Sequence, residues 1–122
     1  MRVPFASLLK ELVSSVDGAH GAIFLESDGE AVQWFTEADG ELLRLRAAYL
    51  SVMLRAYRAA AARLKLGDIS SVILEYDGAR FVVEELERGY ILILELGPTA
   101  NIGQAIYRIQ PAVASLRREL AA

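Results

Sequence analysis

The sequence predicts an α/β sandwich, a five-stranded, mostly antiparallel sheet with helices on both faces, and three observations carry that expectation. Segments with a 3.6-residue apolar period and short strand-like runs follow one another in the order α-β-β-α-β-β-β-α. Two of the strand-like runs, Ala22 to Leu25 and Tyr90 to Leu96, are apolar without alternation, so both their faces must be covered. The long helical segment 41 to 66 carries two apolar stripes side by side, more than one sheet can cover.

Taking the elements in order, Pro4 stands where a helix N-terminus tolerates proline, and Phe5, Leu8, Leu9, Leu12, Val13 and Val16 recur at helical spacing, so a first helix runs from about Pro4 to Val16. Asp17-Gly18 stops it. Ala19 to Glu26 and Ala31 to Phe35 form a hairpin about the Ser27-Asp28-Gly29 turn. Asp39 is placed to cap the long helix, and Gly67 to end it. Three strands follow, Ile69 to Tyr76, Arg80 to Leu86 and Tyr90 to Leu96, with Asp77-Gly78 and Arg88-Gly89 as the turns between them. Gly97-Pro98-Thr99 breaks the chain before a last helix containing Ile102, Ala105, Ile106, Ile109, Val113, Leu116 and Leu120, in which Pro111 predicts a kink.

The long helix organises the rest. Leu42, Leu45, Tyr49, Val52, Met53, Ala56 and Ala60 form one stripe; Leu43, Ala47, Leu50, Leu54, Tyr57, Ala61 and Leu64 form the other. One stripe meets the sheet and the surplus predicts a second subunit, with the first stripe assigned to the twin and the second able to exchange roles with it. An apolar fraction of 54% in 122 residues agrees with an interface. Arg44, Ser51, Arg55, Arg58 and Lys65 gather on a narrow polar face, on which Arg44, Arg55 and Arg58 line up over roughly 21 Å. They form a basic ridge for an acidic or carbonyl-rich partner surface, or else they are solvated or paired within their own subunit.

Charge and composition exclude several functions. Segment 41 to 66 holds six basic residues against one acid, a balance of +5, so the remaining seven basic residues and fifteen acids sum to −8. A pI near 5.2 argues against nucleic acid as a partner. The absence of cysteine removes disulfides, thiolate metal sites and cysteine nucleophiles. No apolar run approaches the roughly 18 residues of a membrane span, and Met1 to Val16 is too polar for a signal peptide, which places the expected single domain, 1 to 122, in the cytoplasm without membrane insertion. His20 is the sole histidine and Ser14, Ser15, Ser70 and Ser71 have no partner base. Glu84 and Glu85 are adjacent on a strand, point to opposite faces, and read as solvated surface rather than an acid/base pair. No phosphate loop or dinucleotide fingerprint is present, so neither a cofactor nor catalysis is expected.

Val16-Asp-Gly-Ala-His-Gly-Ala-Ile-Phe-Leu-Glu-Ser-Asp-Gly29, Ser71-Val-Ile-Leu-Glu75, Leu86-Glu-Arg-Gly-Tyr-Ile-Leu-Ile-Leu94 and Asn101-Ile-Gly103 together resemble the Roadblock/dynein light chain family in order and spacing, although Gln104-Ala105-Ile106 stands where that family commonly has a basic residue. The resemblance implies a profilin- and longin-related sandwich and a homodimer in which the strand after the long helix pairs with its twin. On that basis Leu45, Tyr49, Val52, Met53, Ala56, Val72, Leu74 and Tyr76 are the expected dimer interface, and Arg44, Arg55 and Arg58 the expected partner-binding residues. It further implies a non-catalytic regulator or scaffold of a small Ras-like GTPase. The alternative is a structural adaptor subunit of a motor or signalling complex, and a small-molecule sensor stands third.

Overall fold

The first helix, α1 (Phe5–Ser15), begins directly after Pro4, whose fixed φ of −65° sits at the N-cap. In the computed structural model, which describes residues 4–121, it is followed by β1 (Ala19–Leu25), β2 (Ala31–Thr36), α2 (Gly40–Arg63), β3 (Ser71–Glu75), β4 (Arg80–Glu85), a single 3-10 turn at Glu87–Gly89, β5 (Ile91–Leu96) and α3 (Ile102–Ala121). The strands form one sheet in the order β2-β1-β5-β4-β3, and every neighbouring pair is antiparallel. The two non-alternating runs are interior strands, as their composition requires: β5 is central and β1 lies beside it.

Strand parity separates two cores. Phe24, Leu92 and Leu94 point to one face and meet Leu9 and Leu12 of α1 with Ile109 and Leu116 of α3. Ile23, Ile93, Phe81 and Val83 point to the other face and meet Leu43, Ala47, Leu50 and Leu54 of α2. Leu43, Ala47, Leu50 and Leu54 of the second apolar stripe are therefore the residues on the sheet, while Tyr57 and Leu64 of that stripe are exposed and the first stripe, Met53 apart, faces outward.

Local chemistry sets the helix ends. Asp39 caps α2 as expected, its Oδ1 accepting from the N–H groups of Glu41 (3.0 Å) and Leu42 (3.2 Å). The other end differs from the reading to residue 66. Lys65, not Gly67, takes the first left-handed position (φ 57°), and the Lys65 N–H to Ala62 carbonyl and Leu66 N–H to Ala61 carbonyl bonds (3.2 and 2.9 Å) close a Schellman motif that ends the helix at Arg63. Helix α3 runs unbroken through Pro111, which is exposed; the residue before it, Gln110, donates from Nε2 to the Ile106 carbonyl at 3.1 Å.

Two polar positions are also corrected. Ser51, read as part of the polar face, is buried beneath the β1–β2 turn, where its Oγ donates to the Ala48 carbonyl. A Cβ on Gly29 (φ +90°) would come within 2.8 Å of that Oγ, so only glycine lets the turn close over the helix. Glu84 and Glu85 do point to opposite faces, but they are not solvated surface, because β4 is interior to the sheet and a helix covers each face.

Candidate self-association and partner-binding surface

Helix α2 crosses the sheet with Leu43 against Gly21 near its start and Arg58 beside Glu85 near its end. This crossing leaves the outer stripe without cover: Leu45 is 55% exposed, Tyr49 67% and Val52 52%, with Ala56 also open. Such a run of large apolar side chains is more than a folded chain ordinarily leaves open to water. Met53 is half-buried at its margin and belongs in part to the core beneath α2. Between this stripe and the β3–β4 turn lies an apolar groove of about 370 Å³, lined by Leu45, Tyr49, Met53, Tyr76 and Phe81 among others.

Next to the groove, β3 is an outer strand of the sheet. Val72 and Leu74 turn inward under α2 and are half-buried, so of these two residues the backbone rather than the side chain lies open at the sheet margin. Ile73 points to the opposite face and remains 43% exposed; Tyr76 is exposed at the strand end and meets Phe81 edge-on at 6.0 Å. Ile73 is absent from the residues selected by sequence reasoning. Parity would have found it, since once Val72 and Leu74 face the helix the residue between them must face away.

The three arginines of the expected ridge do not form a free row. Arg44 stacks its guanidinium 4.8 Å from the ring centroid of Trp34 on β2. Arg55 donates to the Ser27 carbonyl in the β1–β2 turn at 3.4 Å. Arg58 places Nε 2.8 Å from Glu85 Oε1, an ion contact without an aligned hydrogen bond, in which Glu85 Oε2 finds no donor. Arg44 and Arg55 are exposed and Arg58 half-buried. Arg46, not singled out from sequence, pairs with Glu95 at 3.1 Å on the flank nearer β4.

Glu84 is only 9% exposed and accepts from Gln110 Nε2 at 3.3 Å; burial pushes its carboxyl above the ordinary value, a shift opposed by that hydrogen bond and by the field of Arg117. His20 is exposed at the start of β1. Glu26, Asp28 and Glu30 bring carboxylate oxygens within 4.8 Å of one another at the β1–β2 turn, where Asp28 Oδ1 accepts from the Glu30 N–H at 3.0 Å, an Asx arrangement of the turn itself. Among the described residues no helix is long and apolar enough to cross a membrane.

One antiparallel sheet, a long helix with an apolar outer stripe on one face, two helices on the other and an uncovered strand beside the stripe define a Roadblock-type sandwich. The family model for the Roadblock/LC7 domain matches residues 5–95. The chain belongs to that family. Among solved structures, a Roadblock/LC7 domain from Streptomyces avermitilis superposes with a TM-score of 0.87 at 24% identity, covering 100% of both chains. The gliding protein MglB from Thermus thermophilus gives 0.81 at 19% identity over 92% of this chain and 84% of its own. MglC from Myxococcus xanthus gives 0.68 at 27% identity over 93% and 96%. No curated protein sequence matches significantly.

Proposed function

We propose that this chain is a non-catalytic regulator or scaffold that acts as a homodimer on a small Ras-like GTPase, the partner supplying the nucleotide site. The observation that carries the reading is the outer stripe of α2, Leu45, Tyr49 and Val52, each more than half exposed next to an outer strand, β3. Charged or short edge strands are the usual protection of a sheet margin; a strand with Val72, Ile73 and Leu74 in succession is instead suited to pairing. Membership of the Roadblock/LC7 family and likeness to a gliding protein support a regulatory role over an enzymatic one. The cytoplasm is the compartment in which such a GTPase is met.

Of the basic residues, Arg44 and Arg55 are the ones we assign to the partner, because their intramolecular contacts are a ring face and a single long hydrogen bond, both exposed. Arg58 anchors Glu85, and reversing its charge leaves two acids together in a half-buried site. The test is GTP turnover by, and binding to, the purified Ras-like GTPases of the same genome. Wild type binds one of them and alters its turnover; Arg44→Glu with Arg55→Glu abolishes binding, makes any residual affinity less salt-sensitive, and leaves self-association unchanged. Unaltered binding by the double variant rejects this ridge as the docking surface. Binding with no change in turnover moves the protein to the adaptor class.

A further inference from the structure

Four of the five aspartates in this chain, Asp17, Asp28, Asp39 and Asp77, stand directly before a glycine. An aspartyl-glycyl linkage carries a latent reaction, because the side-chain carboxyl is one ring closure away from the next backbone nitrogen and glycine has no Cβ to obstruct the approach. The remaining aspartate, Asp68, precedes the β-branched Ile69, which crowds that nitrogen. Closure requires two freedoms: the carboxyl must swing toward the following nitrogen, and the peptide plane between them must turn to meet it. The fold grants these freedoms to the four pairs unequally.

Three of the pairs are held. Asp39 caps α2, its Oδ1 shared by the N–H groups of Glu41 and Leu42, and Gly40 already lies in the first turn of that helix. At the β1–β2 turn, Asp28 Oδ1 accepts from the Glu30 N–H at 3.0 Å, and the Gly29 N–H, the nitrogen that would attack, donates to the Glu26 carbonyl at 2.9 Å. After α1, the Asp17–Gly18 unit is fixed at both ends, the Asp17 N–H donating to Gln104 Oε1 at 3.1 Å and the Gly18 carbonyl accepting from the Gly97 N–H at 2.8 Å. Ala100 packs so closely on Gly18 that a Cβ there would come within 2.9 Å of the alanine Cβ. Asp77–Gly78, in the β3–β4 turn, has none of these restraints. Both residues are exposed, and no atom beyond the chain neighbours lies within 4 Å of where a Cβ on Gly78 would stand. Among the described residues, neither the Asp77 carboxyl nor the Gly78 N–H has a hydrogen-bond or ion partner. The Tyr76 N–H to Ala79 carbonyl bond, at 2.9 Å, closes the turn around the pair without engaging it.

We propose that Asp77 is a site of spontaneous covalent modification in the folded protein, converting to isoaspartate ahead of every other aspartate in the chain. The Gly78 nitrogen attacks Asp77 Cγ; the amide hydrogen and the carboxyl hydroxyl leave together as water, and a succinimide ring joins the two residues. Water then adds across one of the two imide C–N bonds, its hydroxyl to carbon and its hydrogen to nitrogen. Opening at Cγ restores aspartate. Opening at the main-chain carbonyl carbon leaves the chain running through Cγ and turns the old main-chain carbonyl into a free carboxylate. No oxidant, reductant or cofactor enters the balance. The product adds one backbone carbon between Tyr76 and Ala79, and the hydrogen bond that closes the turn is lost. Tyr76 meets Phe81 edge-on and lines the apolar groove beside α2 with Leu45 and Tyr49, so the modification acts at the rim of that groove.

Heavy-oxygen water reads the site directly, since each passage through the succinimide leaves a solvent oxygen on the residue whether the ring opens to aspartate or to isoaspartate. The full chain is incubated folded in buffer and, in parallel, unfolded in urea, and its peptides are mapped by mass spectrometry; isoaspartate is located by methylation with an isoaspartyl methyltransferase. In the folded chain we expect Asp77 to label about thirtyfold faster than Asp17, Asp28 or Asp39, a factor equivalent to ~2 kcal/mol, the net cost of opening the two hydrogen bonds that hold each of those pairs. In urea the four sites should label at similar rates, and Asp77→Glu should abolish both label and methylation at this turn in either state. A folded chain that labels Asp17, Asp28 or Asp39 as fast as Asp77, or that leaves Asp77 unlabelled while the urea sample labels it, overturns the proposal, as does methylation at this turn that survives Asp77→Glu. Hydrogen exchange checks the structural consequence. Chains carrying isoaspartate at position 77, separated chromatographically, should lose protection at the Tyr76 amide; protection equal to that of the unmodified chain refutes the loss of the turn bond.

Discussion

Replacing Leu54 and Val52 separately by alanine tests the division of α2 into an inner and an outer stripe, because the residues are neighbours on one helix with opposite surroundings. Leu54 is 2% exposed within the core formed with Ile23, Phe81 and Ile93. Leu54→Ala removes three buried carbons, about 2.4 kcal/mol at ~0.8 kcal/mol each, and the cavity left behind places the total within about 2–5 kcal/mol. Unfolding entropy of ~2.1 cal/mol/K per residue converts a loss of ~3 kcal/mol into a Tm lower by about 12 °C for a chain of this length. Val52 is 52% exposed, so the folded chain buries only half of it and the proposed twin takes the rest. For Val52→Ala the interface loses about 0.8 kcal/mol per chain and ~1.6 kcal/mol per dimer, a rise in dissociation constant of order tenfold. Urea melts in dilute protein separate folding from association, and sedimentation over a concentration series reads the second effect. If Leu54→Ala costs less than about 1 kcal/mol, or if Val52→Ala lowers the dilute urea midpoint as much as Leu54→Ala does, the assignment of the stripes is wrong.

Two further changes address the polar interior and the end of α2. Glu84 keeps its proton in the folded chain at pH values where the unfolded chain has lost it, since burial raises its pKa above the ordinary 4.5; the native state then binds more protons, and stability falls as pH rises from about that value through the folded pKa. Glu84→Gln preserves the contact with Gln110 and removes the titration, so the stability of the variant relative to wild type should grow across that window and stay higher at neutral pH, whereas parallel pH profiles in urea melts would sink the account. Lys65→Gly relieves a left-handed residue at φ 57° and should stabilise by up to about 1 kcal/mol, a Tm some 4 °C higher by calorimetry; an unchanged or lowered Tm would mean that the Lys65 side chain contributes contacts outweighing the backbone gain.

How much of this was legible beforehand follows from where each signal resides. Burial on both faces is written into composition, which is why Ala22 to Leu25 and Tyr90 to Leu96 could be placed in the interior from their lack of alternation. The surplus stripe on α2 was visible for the same reason. Which stripe meets the sheet was not, because the two are nearly matched in apolar content and differ only in what the topology brings beneath them. Glu84 and Glu85 were misjudged because a local alternation of side chains says nothing about the rank of β4 in the sheet. Ser51 was misplaced because its neighbour, Gly29, is distant in sequence. The end of α2 depends on two backbone hydrogen bonds that Lys65 and Leu66 make, and a glycine two residues later is a stronger but misleading local mark. Of the candidate site, the outer stripe and the strand after it were readable; the tethering of Arg44, Arg55 and Arg58 to Trp34, Ser27 and Glu85 was not, since each contact joins segments remote in the chain.

The stacking of Arg44 on Trp34 makes the protein its own optical probe. Trp34 is the only tryptophan in the chain, and a guanidinium lies 4.8 Å from the centre of its ring at the edge of the surface assigned to the partner. A macromolecule that draws Arg44 away changes both the charge above the indole and its access to water, and with them the wavelength and intensity of its emission. Docking events at this flank can thus be followed in real time on the unlabelled protein, with Arg44→Ala supplying the spectrum of the uncovered ring.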